Sequence, residues 1–322
     1  MRRRDFLSCA AVSAAGLALS RSLSCAQEAK TFTTKIKKAD IGNPADEKWI
    51  VKMKEIGFDG METWVSAGKN TVEAAEKQRK FAQANDFEVH STIFGWSNIN
   101  TTDEDKFNKD VADIAKCIEI TAAYGASVML WVPAKIGGMK MPKPWEFNYE
   151  FDPKTNVVSK CAQGDNSEYA EYIAAHNFAM EQTRKALETL IPVAEKNNVI
   201  IGLENVWNNL WCMPDIFANF VKSVDNKWFQ TYFDIGNHVR YAKPEEWFAA
   251  LGKTIVKLHV KGFKLNADGH DGSWCSFREA SINWPAVRQC MEDIGYNGYL
   301  TLEQGGDRKT LCDQLDLTIA GK

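Results

Sequence analysis

Four side chains of types that commonly bind metal ions occupy similar positions in four short apolar segments. They are Glu204, Asp234, His259 and Glu303, within residues 201–206, 232–235, 257–261 and 300–303. A leucine or phenylalanine immediately precedes each of them, and other apolar residues continue the alternation that is typical of a strand with one buried face. If the apolar side chains face surrounding helices, the four polar side chains face the interior of a closed barrel.

A divalent cation would make this arrangement chemically stable. Three carboxylates that are buried side by side repel one another and are costly to remove from water. Three oxygen donors and one imidazole suit Mn²⁺, Co²⁺, Mg²⁺ or Zn²⁺, and Mn²⁺ is our first expectation. The alternative is a set of buried ion pairs with Lys257 and Lys261. These two lysines alternate with apolar residues in the same way as His259, so their side chains also face the interior.

The rest of the chain supplies the elements that such a barrel requires. Predicted strands span residues 35–42, 59–64, 88–94, 127–132, 199–206, 230–235, 255–262 and 298–304. Predicted helices span residues 45–56, 72–85, 106–124, 169–197, 214–224, 244–251, 284–294 and 309–319. Eight strands that are each followed by a helix predict a single (β/α)₈ TIM barrel, whose active site lies at the C-terminal ends of the strands.

Two long segments interrupt this alternation. Residues 134–166 follow the fourth predicted strand and residues 264–283 follow the seventh, and neither shows a clear period. Long irregular segments at this face of a barrel are usually binding loops or lids. The alternative is a pair of solvated insertions without a role.

The first 26 residues predict an export signal. Arg3-Arg4-Asp5-Phe6-Leu7 resembles a twin-arginine motif, an apolar stretch of small residues follows, and Ser24-Cys25-Ala26 offers a cleavage site. The apolar stretch is shorter than the roughly 20 residues that a spanning helix needs. An ordinary secretory signal and lipid attachment at Cys25 are the alternatives. We therefore expect a periplasmic enzyme domain of residues 27–322.

The composition excludes some classes of partner. The 322 residues are 45% hydrophobic and 25% charged, and removing residues 1–26, with four arginines and one aspartate, changes the formal net charge from −3 to −6. An acidic domain without a basic cluster argues against a nucleic-acid surface. Six scattered cysteines remain in the mature domain, and their pairing and a homo-oligomeric state are left open.

Several short motifs resemble one known family. GLEN (202–205), FDIGN (233–237), KLHVK (257–261) and LE (302–303) resemble the metal-ligand strands of the xylose-isomerase-like TIM barrel superfamily. GFDGME (57–62) resembles the second-strand motif of its sugar isomerase/epimerase branch, which includes ketose 3-epimerases and inosose-processing enzymes. The resemblance implies a metal-dependent isomerase or epimerase that acts on a small sugar. It also implies that Glu204 and Glu303 are both ligands and general acid/base groups, whereas Asp234 and His259 are ligands only.

Other polar and aromatic residues are candidates for contacts with the substrate. These are Glu62, Trp64, His90, Trp131, Trp207, His238, Lys261 and Arg278. Four of them are expected to face the barrel interior: Glu62 and Trp64 on the second predicted strand, His90 on the third and Trp131 on the fourth. His90 could equally be a hydrogen-bonded core histidine, and each tryptophan could equally be a core residue. His238 is included because many relatives place a histidine three residues after the aspartate, where this chain has Asn237.

The substrate and the reaction type stay open between three alternatives. Export and the lack of a glycine-rich phosphate cradle favour a sugar or keto-sugar without phosphate. The first alternative is isomerisation or epimerisation by proton abstraction next to a carbonyl. The second is a lyase or hydrolase of 3-keto-glycosides on the same scaffold. The third is a carbohydrate-binding protein without turnover, which would not require two facing glutamates.

Overall fold

The computed structural model describes residues 31–322, in which eight barrel strands alternate with eight helices and two hairpins are inserted. The strands are β1 (Ile36–Ile41), β2 (Gly60–Trp64), β3 (Glu88–Trp96), β4 (Val128–Val132), β5 (Phe147–Phe151), β6 (Val158–Ala162), β7 (Ile200–Glu204), β8 (Phe229–Asp234), β9 (Ile255–Val260), β10 (Gly262–Leu265), β11 (Gly272–Cys275) and β12 (Gly298–Leu302). The helices are α1 (Glu47–Ile56), α2 (Val72–Ala84), α3 (Glu104–Ala123), α4 (Ala170–Asn197), α5 (Pro214–Val224), α6 (Pro244–Leu251), α7 (Trp284–Asp293) and α8 (Arg308–Ile319). The predicted export signal and the alternative lipid site at Cys25 lie outside the described residues.

Eight parallel strands close into a barrel in the order β1-β12-β9-β8-β7-β4-β3-β2. Helices lie between consecutive barrel strands, so the predicted (β/α)₈ TIM barrel is confirmed. Side chains start several helices by accepting a backbone N–H: Asp46 accepts from Trp49, and Asp103 accepts from Lys106. Among the described residues, the helices all lack an apolar stretch long enough to cross a bilayer.

The core has two layers because side chains alternate along each barrel strand. A small inner cluster contains Ile93, Val128, Leu130, Val132 and Tyr232. A much larger outer cluster fills the space between the strands and the helices, and it includes Met129 and Trp131. The assignment of Trp131 to the barrel interior is therefore wrong, because Val128, Leu130 and Val132 take the inward phase of β4. Its indole N–H donates to Ser97 Oγ at 3.0 Å.

The two segments without a clear period each contain an antiparallel hairpin. β5 pairs with β6 in the insertion after β4, and β10 pairs with β11 in the insertion after β9. Gly262 lets the second hairpin leave the barrel, because a Cβ atom there would lie 2.6 Å from the carbonyl oxygens of Cys275 and Ser276. The register of this hairpin places Phe263 opposite Trp274.

Candidate metal centre

Glu204, Asp234, His259 and Glu303 converge at the C-terminal ends of neighbouring barrel strands. Glu204 ends β7, Asp234 ends β8, His259 lies near the end of β9, and Glu303 follows β12. One ligand atom from each of the four side chains lies within 4.8 Å of the other three. Parallel pairing sets Asp234 beside His259, so the sequence alternation and the strand register together produce the cluster.

The His259 imidazole is oriented by a carboxylate on the far side of the barrel. Its Nε2 lies 2.5 Å from Glu62 Oε2, and Glu62 is completely buried on β2. With the proton on Nε2, the Nδ1 lone pair faces Glu303 Oε2 at 2.9 Å and Glu204 Oε1 at 3.4 Å. A lone pair that faces carboxylate oxygens is repulsive unless a proton or a cation lies between them.

The donor set fits a divalent cation. His259 Nδ1 and Asp234 Oδ2 are both buried and take part in no hydrogen bond. The Lys261 ammonium lies 3.0 Å from Asp234 Oδ2 and 2.8 Å from Glu303 Oε2. With His259 neutral, three carboxylates and one ammonium leave a net charge of −2, which one divalent ion would neutralise. Lys261 therefore provides part of the charge balance that the sequence left open, whereas Lys257 does not contact the cluster: its Nζ lies 5.4 Å from the Tyr299 ring centroid.

The pKa values of these groups move in opposite directions when no cation is bound. Burial raises the pKa of Glu204 to about 7 and also raises that of Asp234. Burial alone would lower the pKa of His259, but the carboxylates of Glu62 and Glu303 raise it well above its usual value. Burial would likewise raise the pKa of Glu303, but His259 and Lys261 hold it well below its usual range. These directions favour shared protons or a cation in the cluster over bare charges.

Two asparagines position the carboxylates from the loops after β7 and β8. Asn205 Oδ1 accepts from the Asp234 backbone N–H at 2.6 Å. Asn237 donates to Glu204 Oε1 at 3.4 Å and to the Asn205 carbonyl at 2.9 Å. Asp234 Oδ1 accepts the backbone N–H groups of Gly236 and Asn237 at 2.8 and 2.7 Å. Asn237 thus holds the Glu204 carboxylate and the backbone of Asn205 in place, a role that sequence reasoning did not assign to it.

Three of the predicted contact residues are buried beneath or beside the centre. Glu62 bonds to His259 and Ser91, and His90 bonds to Ser91 at 2.9 Å and to Thr301 at 3.1 Å. The His90 ring also stacks on the Tyr299 ring, with centroids 4.0 Å apart, so His90 is a hydrogen-bonded histidine of the core. His238 is buried, and its Nε2 lies 3.0 Å from the Val206 carbonyl oxygen. The structure thus does not expose these three side chains at the barrel mouth.

The remaining candidates divide between the mouth and the outer surface. Trp64 ends β2 and is 57% exposed. Trp207 follows β7, and its indole N–H donates to the Asn237 carbonyl at 2.5 Å. Arg278 donates to Thr318 on α8 at 3.1 Å, and the structure does not bring it to the cluster.

An aromatic wall beside the centre was not predicted from the sequence. Its members are Trp207, Phe263 and Trp274, with ring centroids 5.0 to 5.5 Å apart. Lys261 Nζ lies 5.5 Å from the Trp274 ring centroid and therefore separates this wall from the carboxylates. Each strand of the β10–β11 hairpin carries only one aromatic residue, Phe263 or Trp274, so no repeated pattern in the sequence indicated Trp274.

Comparisons with known proteins agree with this architecture. A family model described as a xylose isomerase-like TIM barrel matches residues 50–319. One curated relative, an uncharacterised protein of Methanocaldococcus jannaschii, is 29% identical over 143 residues, which are 42% of this chain and 45% of that protein. The match thus spans less than half the length of this relative.

Solved structures with the same fold cover nearly all of the chain. A D-tagatose 3-epimerase-like protein is 18% identical with a TM-score of 0.64, and the match covers 88% of this chain and 96% of that one. The 3-keto-D-glucoside 4-epimerase of E. coli is 16% identical with a TM-score of 0.61, at 88% and 98% coverage. A xylose isomerase-like TIM barrel protein of Mycobacterium smegmatis, solved in complex with magnesium, is 18% identical with a TM-score of 0.58, at 90% and 97% coverage. At these identities the likeness shows the fold.

Proposed function

The chain belongs to the xylose isomerase-like TIM barrel family, and from that premise we propose that it is a divalent-metal-dependent isomerase or epimerase of a small sugar or keto-sugar without phosphate. The observation that carries the proposal is the pair Glu204 and Glu303. Both carboxylates face His259 Nδ1, at 3.4 and 2.9 Å, from strands on either side of β8 and β9. The export signal predicted from the sequence favours a substrate that occurs outside the cytoplasm.

Glu204, Asp234, His259 and Glu303 would hold the cation, and Mn²⁺ is the first expectation. When bound, such a cation polarises a carbonyl group and stabilises the negative charge that develops on the substrate during proton abstraction. Asp234 is fixed by Asn205 and by two backbone N–H groups, so it has a rigid ligand geometry and no freedom to move a proton. His259 is fixed in the same way by Glu62.

The two glutamates then carry the protons. One carboxylate removes the hydrogen from the carbon next to the carbonyl, and the electron pair of that C–H bond forms the enediolate. The other glutamate, which enters this step protonated, gives its proton to that carbon from the opposite face and inverts it. Alternatively it gives the proton to the former carbonyl carbon while the proton of the adjacent hydroxyl moves to the former carbonyl oxygen, which isomerises the sugar. The two glutamates then exchange protons with water and return to their starting states. Lys261 donates to Glu303 at 2.8 Å and keeps this carboxylate ionised, as a base requires.

A deuterium experiment tests the reaction type. Protein loaded with Mn²⁺ is incubated in ²H₂O with ketoses and with 3-keto-glycosides, and the products are analysed by NMR. We expect deuterium at a carbon next to the carbonyl in an intact sugar. Release of the group on the glycosidic oxygen would instead favour the second candidate, a 3-keto-glycoside lyase or hydrolase, which the aromatic wall beside the centre also suits. Binding without any exchange would contradict both and favour a carbohydrate-binding protein.

Substitutions separate the proton carriers from the pure ligands. Glu204→Gln and Glu303→Gln keep an oxygen for the cation but remove the base, so each should lower turnover by about 10²–10⁴-fold at saturating metal. Asp234→Asn should act mainly through metal affinity and recover most turnover when Mn²⁺ is raised. Full recovery of both glutamine variants by excess metal would show that neither glutamate carries the proton.

A further inference from the structure

Exposed tryptophans are concentrated at the mouth of this barrel. Among the described residues, the exposed large apolar side chains include Trp64 at 57%, Trp96 and Trp274 at 49% each, and Trp145 at 38%. Each of them ends a barrel strand or lies in the insertion that follows one. Large aromatic side chains are normally buried, so several exposed ones on the same face indicate a binding surface rather than chance.

Trp274 forms the part of this surface that is closest to the centre. It packs on Trp207 with centroids 5.0 Å apart and rings tilted by 30°, and on Phe263 at 5.2 Å, edge to face. The guanidinium of Arg240 lies 4.3 Å from the Trp207 ring centroid and pairs with Asp271 at 3.2 Å. Because these contacts fix the ring while half of the side chain stays exposed, Trp274 offers a preformed flat face to a sugar beside Lys261.

A second aromatic surface lies across the barrel from the first. Trp64 ends β2 and Trp96 ends β3, whereas Trp274 belongs to the insertion after β9. In the closed strand order, three strands separate β9 from β3 in each direction, so these two strands are opposite. Eight tilted strands make a barrel about 15 Å across. One sugar ring at the centre is far too small to cover both surfaces.

We propose that the substrate is a keto-glycoside with two rings, in which the reacting ring carries the carbonyl group, rather than a free monosaccharide. The reacting sugar lies at the centre with one face toward Trp274, and the second ring, a further sugar or an aromatic aglycone, stacks on Trp64 and Trp96. Lys135 lies beside this second surface, with its Nζ 5.8 Å from the Trp96 ring centroid. The exposed indole rings of Trp64 and Trp96 offer apolar faces, so a neutral ring fits this surface. The inference rests on the proposed function, since it names the substrate class of the same site.

Binding of unreactive glycosides tests the inference without any turnover. The probes are glucose, methyl glucosides, phenyl glucosides and glucose disaccharides in both anomeric forms, with affinity measured by calorimetry on the metal-loaded protein. We expect at least one phenyl glucoside or disaccharide to bind about tenfold more tightly than the matching methyl glucoside. Comparing the phenyl and sugar probes identifies the chemistry of the second ring.

Variants then test which of the two aromatic surfaces contacts each ring of the ligand. Trp64→Ala and Trp96→Ala should remove most of the tenfold gain and leave the affinity for the methyl glucoside unchanged, whereas Trp274→Ala should weaken both ligands. Leu317→Ala is the matched control, because it removes an exposed apolar side chain from α8. Thermal melts of each variant confirm that it is folded.

Three results would overturn the inference: equal affinity for one-ring and two-ring probes, a gain that survives in the Trp64→Ala/Trp96→Ala double variant, or no binding of any probe at millimolar concentration. These results differ from failure of the proposed function. If two-ring probes bind more tightly but no deuterium is exchanged, only the proposed reaction is refuted. If free ketoses exchange deuterium but two-ring probes bind no more tightly than one-ring probes, only the two-ring substrate is refuted.

Discussion

At the scale of single residues, Glu62 orients the His259 imidazole within the cluster of carboxylates. It lies on the opposite side of the barrel, bonds to His259 Nε2, and receives a hydrogen bond from Ser91 at 3.0 Å. His90 and Thr301 extend this chain of buried hydrogen bonds. Each member fixes the next, so the Nδ1 atom of His259 is directed at the carboxylates of Glu204 and Glu303.

Glu62→Leu should therefore weaken metal binding although Glu62 does not reach the centre. Loss of an outer partner of a histidine ligand typically costs 10–100-fold in metal affinity, and we expect a loss of about that size for Mn²⁺. Glu62→Gln should lie between this variant and the original protein, because an amide oxygen can still accept from Nε2. Titration with Mn²⁺ followed by calorimetry measures the affinity. Glu88→Gln, at the beginning of β3, is the control and should keep the original affinity. If both Glu62 variants bind Mn²⁺ as tightly as the control and the original protein, Glu62 has no positioning role.

At the scale of elements, the β10–β11 hairpin is held by contacts from three different loops. His270 stacks on Trp145 of the insertion after β4 at 4.5 Å, and Trp274 packs on Trp207 of the loop after β7. Arg240, from the loop after β8, both covers Trp207 and pairs with Asp271. The two insertions that interrupt the barrel repeat therefore contact each other and form one wall of the mouth.

Arg240→Ala should loosen this wall and leave the barrel intact. The substitution removes an ion pair and the cation on the Trp207 ring, so amide hydrogen exchange in residues 262–275 should accelerate. Exchange in β7 and β8 should not change, because their amides are bonded to neighbouring barrel strands. Lys109→Ala, which removes an exposed ion pair with Asp113 on α3, is the control. Unchanged protection in the hairpin would show that Trp145 and Trp207 hold it without Arg240.

The barrel elements were predictable from the sequence because their signals are local. Leucine and phenylalanine next to Glu204, Asp234 and Glu303 set the phase of each strand, and the four segments converge as that phase requires. The same reasoning failed for residues 127–132, which carry Val128, Met129, Leu130, Trp131 and Val132 in succession. A strand that is apolar on both faces has no polar residue to set its phase, so Trp131 was placed on the wrong side.

The hairpins and the aromatic wall were not predictable because their contacts are not local. Trp274 meets Trp207 and Lys261, and His270 meets Trp145, only after the barrel has closed. The sequence indicated that something interrupts the repeat at residues 134–166 and 264–283, but the pairing partners of an insertion depend on the surrounding loops. For the same reason the sequence could not separate buried His90 and Glu62 from contacts at the mouth.

At the scale of the whole molecule, a buried neutral histidine joins the first insertion to the barrel. His176 lies on α4, where its ring packs against Tyr149 of β5 at 5.7 Å and Tyr172 at 6.0 Å. Its Nε2 accepts the backbone N–H of Trp211 at 3.2 Å. Accepting this bond requires a neutral ring with its proton on Nδ1, and burial lowers the pKa of His176 to about 3.

The stability of the protein should therefore fall in mild acid, and His176 should account for a measurable part of the slope. In the unfolded chain this histidine titrates near its usual pKa of about 6.5. Between that value and about 3, the unfolded state holds a proton that the folded state does not, so the free energy of unfolding decreases as the pH falls. One proton corresponds to about 1.4 kcal/mol per pH unit.

His176→Gln removes the titrating group while keeping an acceptor for Trp211. The free energy of unfolding is measured with urea from pH 7.5 to 4.5. Below pH 6, its slope against pH should be smaller in the variant than in the original protein, and the difference should correspond to nearly one bound proton. The variant should be less stable at neutral pH, because glutamine fills the aromatic cavity less well, and the two curves should approach each other in acid. Leu317→Ala, which removes an exposed apolar side chain from α8 and no titrating group, is the control and should leave the slope unchanged. Parallel curves for His176→Gln and the original protein would show that His176 already carries its proton in the folded state, and that the Trp211 amide finds another partner.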